Sequence, residues 1–216
     1  MNTNNKLNKA NSYRHSQELL RNKALKKGVT LVAPETTFLS KDTLFGKNVT
    51  VDPYVVIGPG VKIGDNSHIK SFSHLEGTKI EKNVTVGPYA RLREGTVLKK
   101  NTKIGNFVEL KNVISGKEVK INHLSYIGDT SIGRSSNIGA GSITCNYDGH
   151  KKNKTFIGSN AFVGSNSTMV APLKIGDNST IGAGSVITED VNDGDLAIGR
   201  EKQINKKDRS ITKKKN

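Results

Sequence analysis

The chain has 216 residues and a formal net charge of +15, with 22 glycines, a single cysteine and no tryptophan. Hydrophobic residues make up 33% of it, which is low for a thick globular core, and one cysteine excludes an internal disulfide framework. No apolar run approaches the roughly 20 residues of a membrane span, and the amino end lacks the apolar core of a signal peptide. We therefore expect a cytoplasmic protein with one large domain and no membrane partner.

The positive charge is concentrated at the two ends of the chain. Residues 1–28 carry seven Lys/Arg and one acidic residue, and residues 201–216 carry seven Lys/Arg and two acidic residues. Residues 29–200 carry 20 basic and 16 acidic residues, so the body is only slightly positive. Charge runs at chain ends are usually solvated, so we expect no nucleic-acid partner, with binding through the basic ends as an alternative. The body suits anionic substrates such as sugar phosphates and coenzyme A.

The first predicted element is a helix over residues 12–27 (SYRHSQELLRNKALKK), preceded by a polar arm. Ser12 can cap this helix and Gly28 can end it. The leucines that share part of one face are Leu19, Leu20 and Leu25. Residues 1–28 thus form the first predicted segment.

From Phe45 onward an apolar residue recurs every six positions. The series are Phe45, Val51, Ile57, Ile63, Ile69 and Leu75; Ile80, Val86, Leu92, Leu98, Ile104 and Leu110; after an irregular stretch, Ile127, Ile132 and Ile138; and Ile157, Val163, Met169, Ile175, Ile181 and Ile187. Small or β-branched residues stand two positions earlier at Val49, Val55, Val61, Val84, Ala90, Val108, Ala161, Ser167 and Ser179. A period of six fits neither a helix nor an alternating hairpin, but it fits short strands separated by tight turns. Three such units close a triangular coil, and coils stack at about 4.8 Å.

The period leaves the winding hand open, and the crossover rule for ordinary sheets favours a right-handed coil. The [Leu/Ile/Val]-Gly-x-x-x-x repeat resembles the hexapeptide-transferase superfamily. This resemblance implies left-handed coils and a homotrimer with active sites between subunits. The expected fold is therefore all-β: a left-handed parallel β-helix of hexapeptide repeats over residues 29–200, with a short N-terminal helix.

Two segments depart from the six-residue repeat. Residues 145–156 (CNYDGHKKNKTF) interrupt it, and an insertion between stacked coils must project from the column, where it can carry functional residues. Residues 201–216 have no apolar pattern and are predicted to be a basic, disordered tail.

Five longer motifs make a more specific resemblance. They are GPYARLREGT, GNFVELKN, NHLSYIGD, NIGAGSITCNYDG and FVGSNSTMVAP. In this order they resemble the carboxy-terminal domain of the bifunctional glucosamine-1-phosphate acetyltransferase and N-acetylglucosamine-1-phosphate uridyltransferase family, from about residue 20 to residue 200. The resemblance implies acetyl transfer from acetyl-coenzyme A to glucosamine-1-phosphate during synthesis of UDP-N-acetylglucosamine, a precursor of peptidoglycan in the cell wall and of lipopolysaccharide. No segment matches the uridyltransferase nucleotide loop, so we expect a stand-alone acetyltransferase or a fragment, with a separate uridyltransferase as a possible partner.

Acetyl transfer needs an uncharged amine, and His is the side chain suited to take its proton near neutral pH. The resemblance makes His123 this general base and Glu109 the residue that orients or polarises its ring. It places the sugar phosphate on Arg93, Lys111, Tyr126, Asn137 and Lys152. It places acetyl-coenzyme A on Ala140, Asn146, Tyr147, Ser165, Ala183 and Arg200, with the backbone N–H of Ala140 facing the developing oxyanion.

Other functions remain possible from the sequence. A hexapeptide acyltransferase for another amino sugar or nucleotide sugar would use the same base, and a non-catalytic β-helix scaffold would use none. An acyl intermediate on Cys145 is unnecessary, because the amine can attack the thioester directly. The five histidines do not form a metal-ligand pattern, so acetyl-coenzyme A is the only expected cofactor and no metal is required.

Overall fold

The computed structural model describes residues 3–207 of the chain. Helix α1 spans Thr3–Lys26, and a short 3-10 turn spans Pro34–Thr36. The strands are β1 Thr30–Leu31, β2 Phe38–Leu39, β3 Leu44–Phe45, β4 Thr50–Val51, β5 Val56–Ile57, β6 Lys62–Ile63, β7 His68–Ile69, β8 His74–Leu75, β9 Lys79–Ile80, β10 Thr85–Val86, β11 Arg91–Leu92, β12 Val97–Leu98, β13 Lys103–Asn106, β14 Glu109–Ser115, β15 Lys120–His123, β16 Tyr126–Ile132, β17 Asn137–Ile138, β18 Ile143–Cys145, β19 Thr155–Ile157, β20 Phe162–Val163, β21 Thr168–Val170, β22 Leu173–Ile175, β23 Thr180–Ile181, β24 Val186–Ile187 and β25 Leu196–Ala197.

These strands form three flat faces of a prism, and all of them pair in parallel with the strand one coil away. The first face has the order β1-β4-β7-β10-β13-β15-β17-β20-β23-β25. The second face contains β2, β5, β8, β11, β18, β21 and β24, and the third contains β3, β6, β9, β12, β19 and β22. Strands β14 and β16 are seven residues long and continue from the second face into the third. The predicted left-handed parallel β-helix with an N-terminal helix is confirmed.

The core is the column of side chains that the six-residue period predicts. All members of the four apolar series are buried except Phe45, which is half-buried at the end of the column next to α1. The small residues two positions earlier are buried as well. Both positions point inward because side chains on a strand alternate between its two sides.

The stretch between residues 111 and 126 is a regular coil, although the sequence pattern is irregular there. Val119 and Ile121 fill inward positions and are fully buried. The missing apolar residue is replaced by Ser115, which is buried and accepts a hydrogen bond from the backbone N–H of Lys99 at 3.0 Å. A polar residue at an inward position therefore hid one coil from the pattern.

Helix α1 begins earlier than predicted. It starts at Thr3 and not at Ser12, because residues 3–27 contain no proline or glycine that would interrupt it. Leu19 and Leu25 are exposed, and the residues that face the column are Gln17, Leu20 and Ala24. The predicted end is confirmed, since Gly28 has φ +82° and donates its N–H to Leu25 O at 2.9 Å.

The predicted disordered tail is only partly described. Residues 201–207 are exposed and have no helix or strand, and residues 208–216 lie outside the described residues. Between residues 3 and 207, no helix is long and apolar enough to cross a membrane.

Candidate active site

Four of the predicted site residues lie on the corner where the first face turns into the second, which we call the His123 corner. Five successive coils place Asn106, His123, Ala140, Ser165 and Ala183 at equivalent positions of this corner. The carbonyl oxygen of each of the first four residues accepts a hydrogen bond from a backbone N–H of the next coil. These bonds run from Leu124 N to Asn106 O at 3.0 Å, from Gly141 N to His123 O at 3.2 Å, from Asn166 N to Ala140 O at 2.7 Å and from Gly184 N to Ser165 O at 2.8 Å. At about 4.8 Å per coil, the column from His123 to Ala183 is roughly 14 Å long.

The side chains beside this column change size at His123. In the coils before it, four aromatic rings stack on one another with centroids 4.7–5.1 Å apart: Tyr54, Phe72, Tyr89 and Phe107. In the coils after it, Gly141, Asn166 and Gly184 take the equivalent positions. The Cδ of Arg200 lies 3.7 Å from the position that a Cβ on Gly184 would occupy. The corner therefore carries large side chains in the coils before His123 and smaller ones in the coils after it, and Arg200 lies at its far end.

The imidazole of His123 is exposed and has a hydrogen-bond partner that the sequence analysis missed. Its Nδ1 lies 2.5 Å from Oδ1 of Asn106, which stands in register with it on the neighbouring strand. The Glu109 carboxylate accepts a hydrogen bond from Arg93 at 2.9 Å, so the expected role of Glu109 in orienting the ring stays a prediction. Asn106 lies in the motif GNFVELKN, but the motif indicates no role for it; counting one coil of 17 residues back from His123 would have found it.

The predicted phosphate-binding cations converge on the edge between the second and third faces. The hydrogen bond that Arg93 donates to Glu109 raises the pKa of Arg93, so its guanidinium stays charged. A hydrogen bond to Lys152, followed by the positive charges of Lys152 and Arg93, lowers the pKa of Lys111. The pKa of Lys111 falls because its charged form is repelled, which an anion between these side chains would reverse.

The projecting segment at residues 146–154 is a tight loop organised by Asp148. The Asp148 carboxylate accepts hydrogen bonds from the backbone N–H groups of His150 at 2.9 Å and Lys151 at 2.8 Å, and from Asn153 Nδ2 at 2.9 Å. The backbone hydrogen bonds, first that from Lys151, lower the pKa of Asp148 to about 2. This loop holds Lys152 next to Lys111 within one chain. The other predicted loop residue, Tyr147, is exposed, and its hydroxyl donates to Gly149 O at 2.6 Å.

Tyr126 and Asn146 meet above Gly128. A Cβ on Gly128 would lie 2.6 Å from Asn146 Nδ2 and 2.7 Å from the Tyr126 hydroxyl oxygen, so both side chains need glycine there. Asn146 is buried, and its Nδ2 donates to the Asp129 carboxylate at 2.5 Å. The amide oxygen of Asn146 and the second hydrogen of its Nδ2 are the groups that can serve a ligand.

One predicted substrate residue is not brought to the others within a single chain. Asn137 lies on the first face, in register with Lys120, whereas Arg93, Glu109 and Tyr126 belong to the second face. Cys145 ends β18 as a partly exposed free thiol. Among residues 3–207, no three His, Cys, Asp or Glu side chains cluster in a way that could hold a metal ion.

The family model described as Bacterial transferase hexapeptide (six repeats) matches residues 42–77, 77–112 and 154–189. The chain belongs to the hexapeptide-repeat transferase family.

Several relatives of this chain, about half identical to it in sequence, carry the name bifunctional protein GlmU. The protein from Bradyrhizobium diazoefficiens is 58% identical over 187 residues, covering 87% of this chain and 42% of that protein. The protein from Rhizobium rhizogenes is 52% identical over 187 residues, covering 87% and 41%. The protein from Wolbachia pipientis is 52% identical over 207 residues, covering 96% and 48%. The chain therefore spans less than half the length of these relatives, which agrees with the predicted resemblance to one domain of a bifunctional family.

Among solved structures, the chain is similar to LpxA from Acinetobacter baumannii. The identity is 18% over 79% of this chain and 71% of that one, with a TM-score of 0.45.

Proposed function

We propose that the protein transfers an acetyl group from acetyl-coenzyme A to the amine of glucosamine-1-phosphate. The observation that carries this proposal is that His123 and the column of Ala140, Ser165 and Ala183 stand at one edge of the second face, while the predicted phosphate-binding cations stand at its other edge. In the proposal, the amine of a substrate whose phosphate is bound at the other edge meets His123, and the thioester arrives along the column.

In the proposed reaction, the neutral amine nitrogen attacks the thioester carbonyl carbon while His123 accepts the proton that the nitrogen loses. The backbone N–H of Ala140, one coil further along, stabilises the oxyanion of the tetrahedral intermediate. The carbon–sulfur bond then breaks, and the proton passes from His123 to the coenzyme A thiolate. The products are N-acetylglucosamine-1-phosphate and free coenzyme A, and no covalent enzyme intermediate is needed.

Three cationic side chains bind the phosphate of the substrate. Arg93 offers a guanidinium fork, and Lys111 and Lys152 supply two close positive charges. Tyr126 is adjacent to these cations on the second face. The small residues of the His123 corner leave room for the pantetheine arm, and Arg200 is available at the far end for the phosphates of coenzyme A.

We also propose that the active protein is a homotrimer in the cytoplasm, with each site completed by a neighbouring copy. The separation of Asn137 from Tyr126 on different faces supports a shared site, because Asn137 of one chain can serve the His123 corner of another. The product is a precursor for uridylyl transfer, which we assign to a different active site.

The test is release of coenzyme A from acetyl-coenzyme A, with glucosamine-1-phosphate as acceptor and glucosamine-6-phosphate and a nucleotide-linked amino sugar as controls. We expect His123→Ala to reduce kcat about 10²–10⁴-fold without loss of folding. The matched control is His15→Ala, since His15 is an exposed residue of α1. No release with the 1-phosphate from a folded protein, or equal release by the His123 variant, would refute the proposal.

A further inference from the structure

We propose that Asn106 is a positioning residue that keeps the hydrogen of His123 on Nδ1, so that Nε2 is free to accept the proton of the substrate amine. This inference rests on the proposed acetyl transfer, in which His123 is the general base. It assigns to Asn106 the role that the sequence analysis gave to Glu109.

The hydrogen bond between Asn106 and His123 determines which ring nitrogen carries the hydrogen. Oδ1 of Asn106 lies 2.5 Å from Nδ1 of His123. An amide oxygen can only accept a hydrogen bond, so the ring nitrogen must be the donor. In a neutral imidazole only one nitrogen carries hydrogen, and Nε2 is then left with a lone pair.

The pairing of β13 with β15 holds these two side chains next to each other. Most strands of the first face have two residues, but β13 and β15 each have four, and the additional pairing places Asn106 opposite His123. The hydrogen bond from Leu124 N to Asn106 O, 3.0 Å long, continues this pairing into the corner. Gly105 lets the strands approach closely, because a Cβ there would collide with the backbone oxygen of Asn122.

The charge of the group beside the imidazole affects how readily the ring releases its proton. A carboxylate beside the imidazole would stabilise the protonated ring and hold the proton there. A neutral amide orients the ring without that effect, so the imidazolium formed during attack can return its proton to the thiolate. In this structure, the nearby carboxylate of Glu109 is occupied by Arg93.

The experiment compares Asn106→Ala, Asn106→Asp and Asn192→Ala in the full-length protein. Asn192 is an exposed asparagine distant from the His123 corner and serves as the matched control. We expect Asn106→Ala to lower kcat at least about 10-fold with little change in KM, because fewer rings have the productive hydrogen position. Asn106→Asp keeps the acceptor but adds charge, so we expect a kcat between those of Asn106→Ala and the wild type and an acidic limb of the pH–rate profile moved about one pH unit upward.

A second measurement does not depend on turnover. Nitrogen-15 chemical shifts of labelled histidine distinguish the two neutral tautomers, and we expect hydrogen on Nδ1 of His123 in the wild type and a shift toward the other tautomer in Asn106→Ala. Unchanged tautomer populations, or an Asn106→Ala variant with the kcat of the wild type, would overturn the proposal. A wild-type protein that has this tautomer but is inactive toward glucosamine-1-phosphate would refute the proposed function and leave the Asn106 contact supported.

Discussion

At the scale of single residues, the most informative feature is the close approach of two ammonium groups. Lys152 lowers the pKa of Lys111, so these lysines repel one another until an anion lies between them. We expect Lys111→Ala and Lys152→Ala each to raise KM for glucosamine-1-phosphate about 10-fold or more, because each removes a charged hydrogen bond to phosphate.

The comparison substrate for this prediction is glucosamine without phosphate, for which both variants should resemble the wild type. Lys62→Ala, on the third face, is the control substitution. An equal loss with both substrates would mean that the lysines support the fold and do not bind phosphate.

The residue scale also shows what motifs can and cannot predict. The motifs selected His123, Ala140, Ser165 and Ala183, and these residues form one column. Asn106 lies within one of the motifs but was missed, because its contact with His123 depends on the register between strands, which a local motif does not show.

At the scale of elements, the loop at residues 146–154 depends on one carboxylate. Asp148 ties two backbone N–H groups and Asn153 together and so determines where Lys152 lies. We expect Asp148→Ala to raise KM for the sugar phosphate several-fold with little effect on the unfolding temperature. Asp148→Asn keeps one acceptor oxygen and should have a smaller effect, whereas equal KM values in all three proteins would contradict the argument.

The same carboxylate gives the loop a defined pH range. The folded-state pKa of Asp148 is about 2, below its ordinary value of 3.8, so its contribution is present above about pH 4 and is lost as the pH falls toward 2. We expect the amides of His150 and Lys151 to keep their protection from hydrogen exchange at neutral pH and to lose it in that acidic window. Loss of protection at pH 6 would show that another group controls the loop.

One side chain of helix α1 forms the two backbone hydrogen bonds with β2 that a neighbouring strand would form. Gln17 is buried, its Nε2 donates to Leu39 O at 2.9 Å, and its Oε1 accepts from Leu39 N at 2.8 Å. We expect Gln17→Ala to lower the free energy of unfolding by about 2–4 kcal/mol, because two buried backbone groups lose their partners. Chemical denaturation measures this, with Gln203→Ala, an exposed glutamine, as the control; equal stability of the two variants would contradict the role of Gln17.

At the scale of the whole molecule, the apolar period was sufficient to predict the coil, its core and its three faces. It could not reveal the coil that contains Ser115, since a hydrogen-bonded hydroxyl replaces the apolar signal. It also could not find the start of α1, because the polar residues 3–11 carry no periodic pattern. Periodicity reports burial, and it is silent where a segment is exposed or where a buried residue is polar.

Assembly is the property of the whole molecule on which the proposed site depends. Asn137 and Tyr126 lie on different faces, which is why we proposed that a second copy completes the site. We expect sedimentation at micromolar concentration to give a trimer, and a monomer with full activity would contradict a shared site.

The pairing of Gln17 with Leu39 has a consequence for the length of the rod. A β-helix ends in strands whose free backbone groups could accept another coil, and such an end is a template for filament growth. The glutamine amide fills this template at one end of the second face and offers no further strand edge in its place. Helix α1 therefore closes the first strand of the second face to pairing with a strand of another chain.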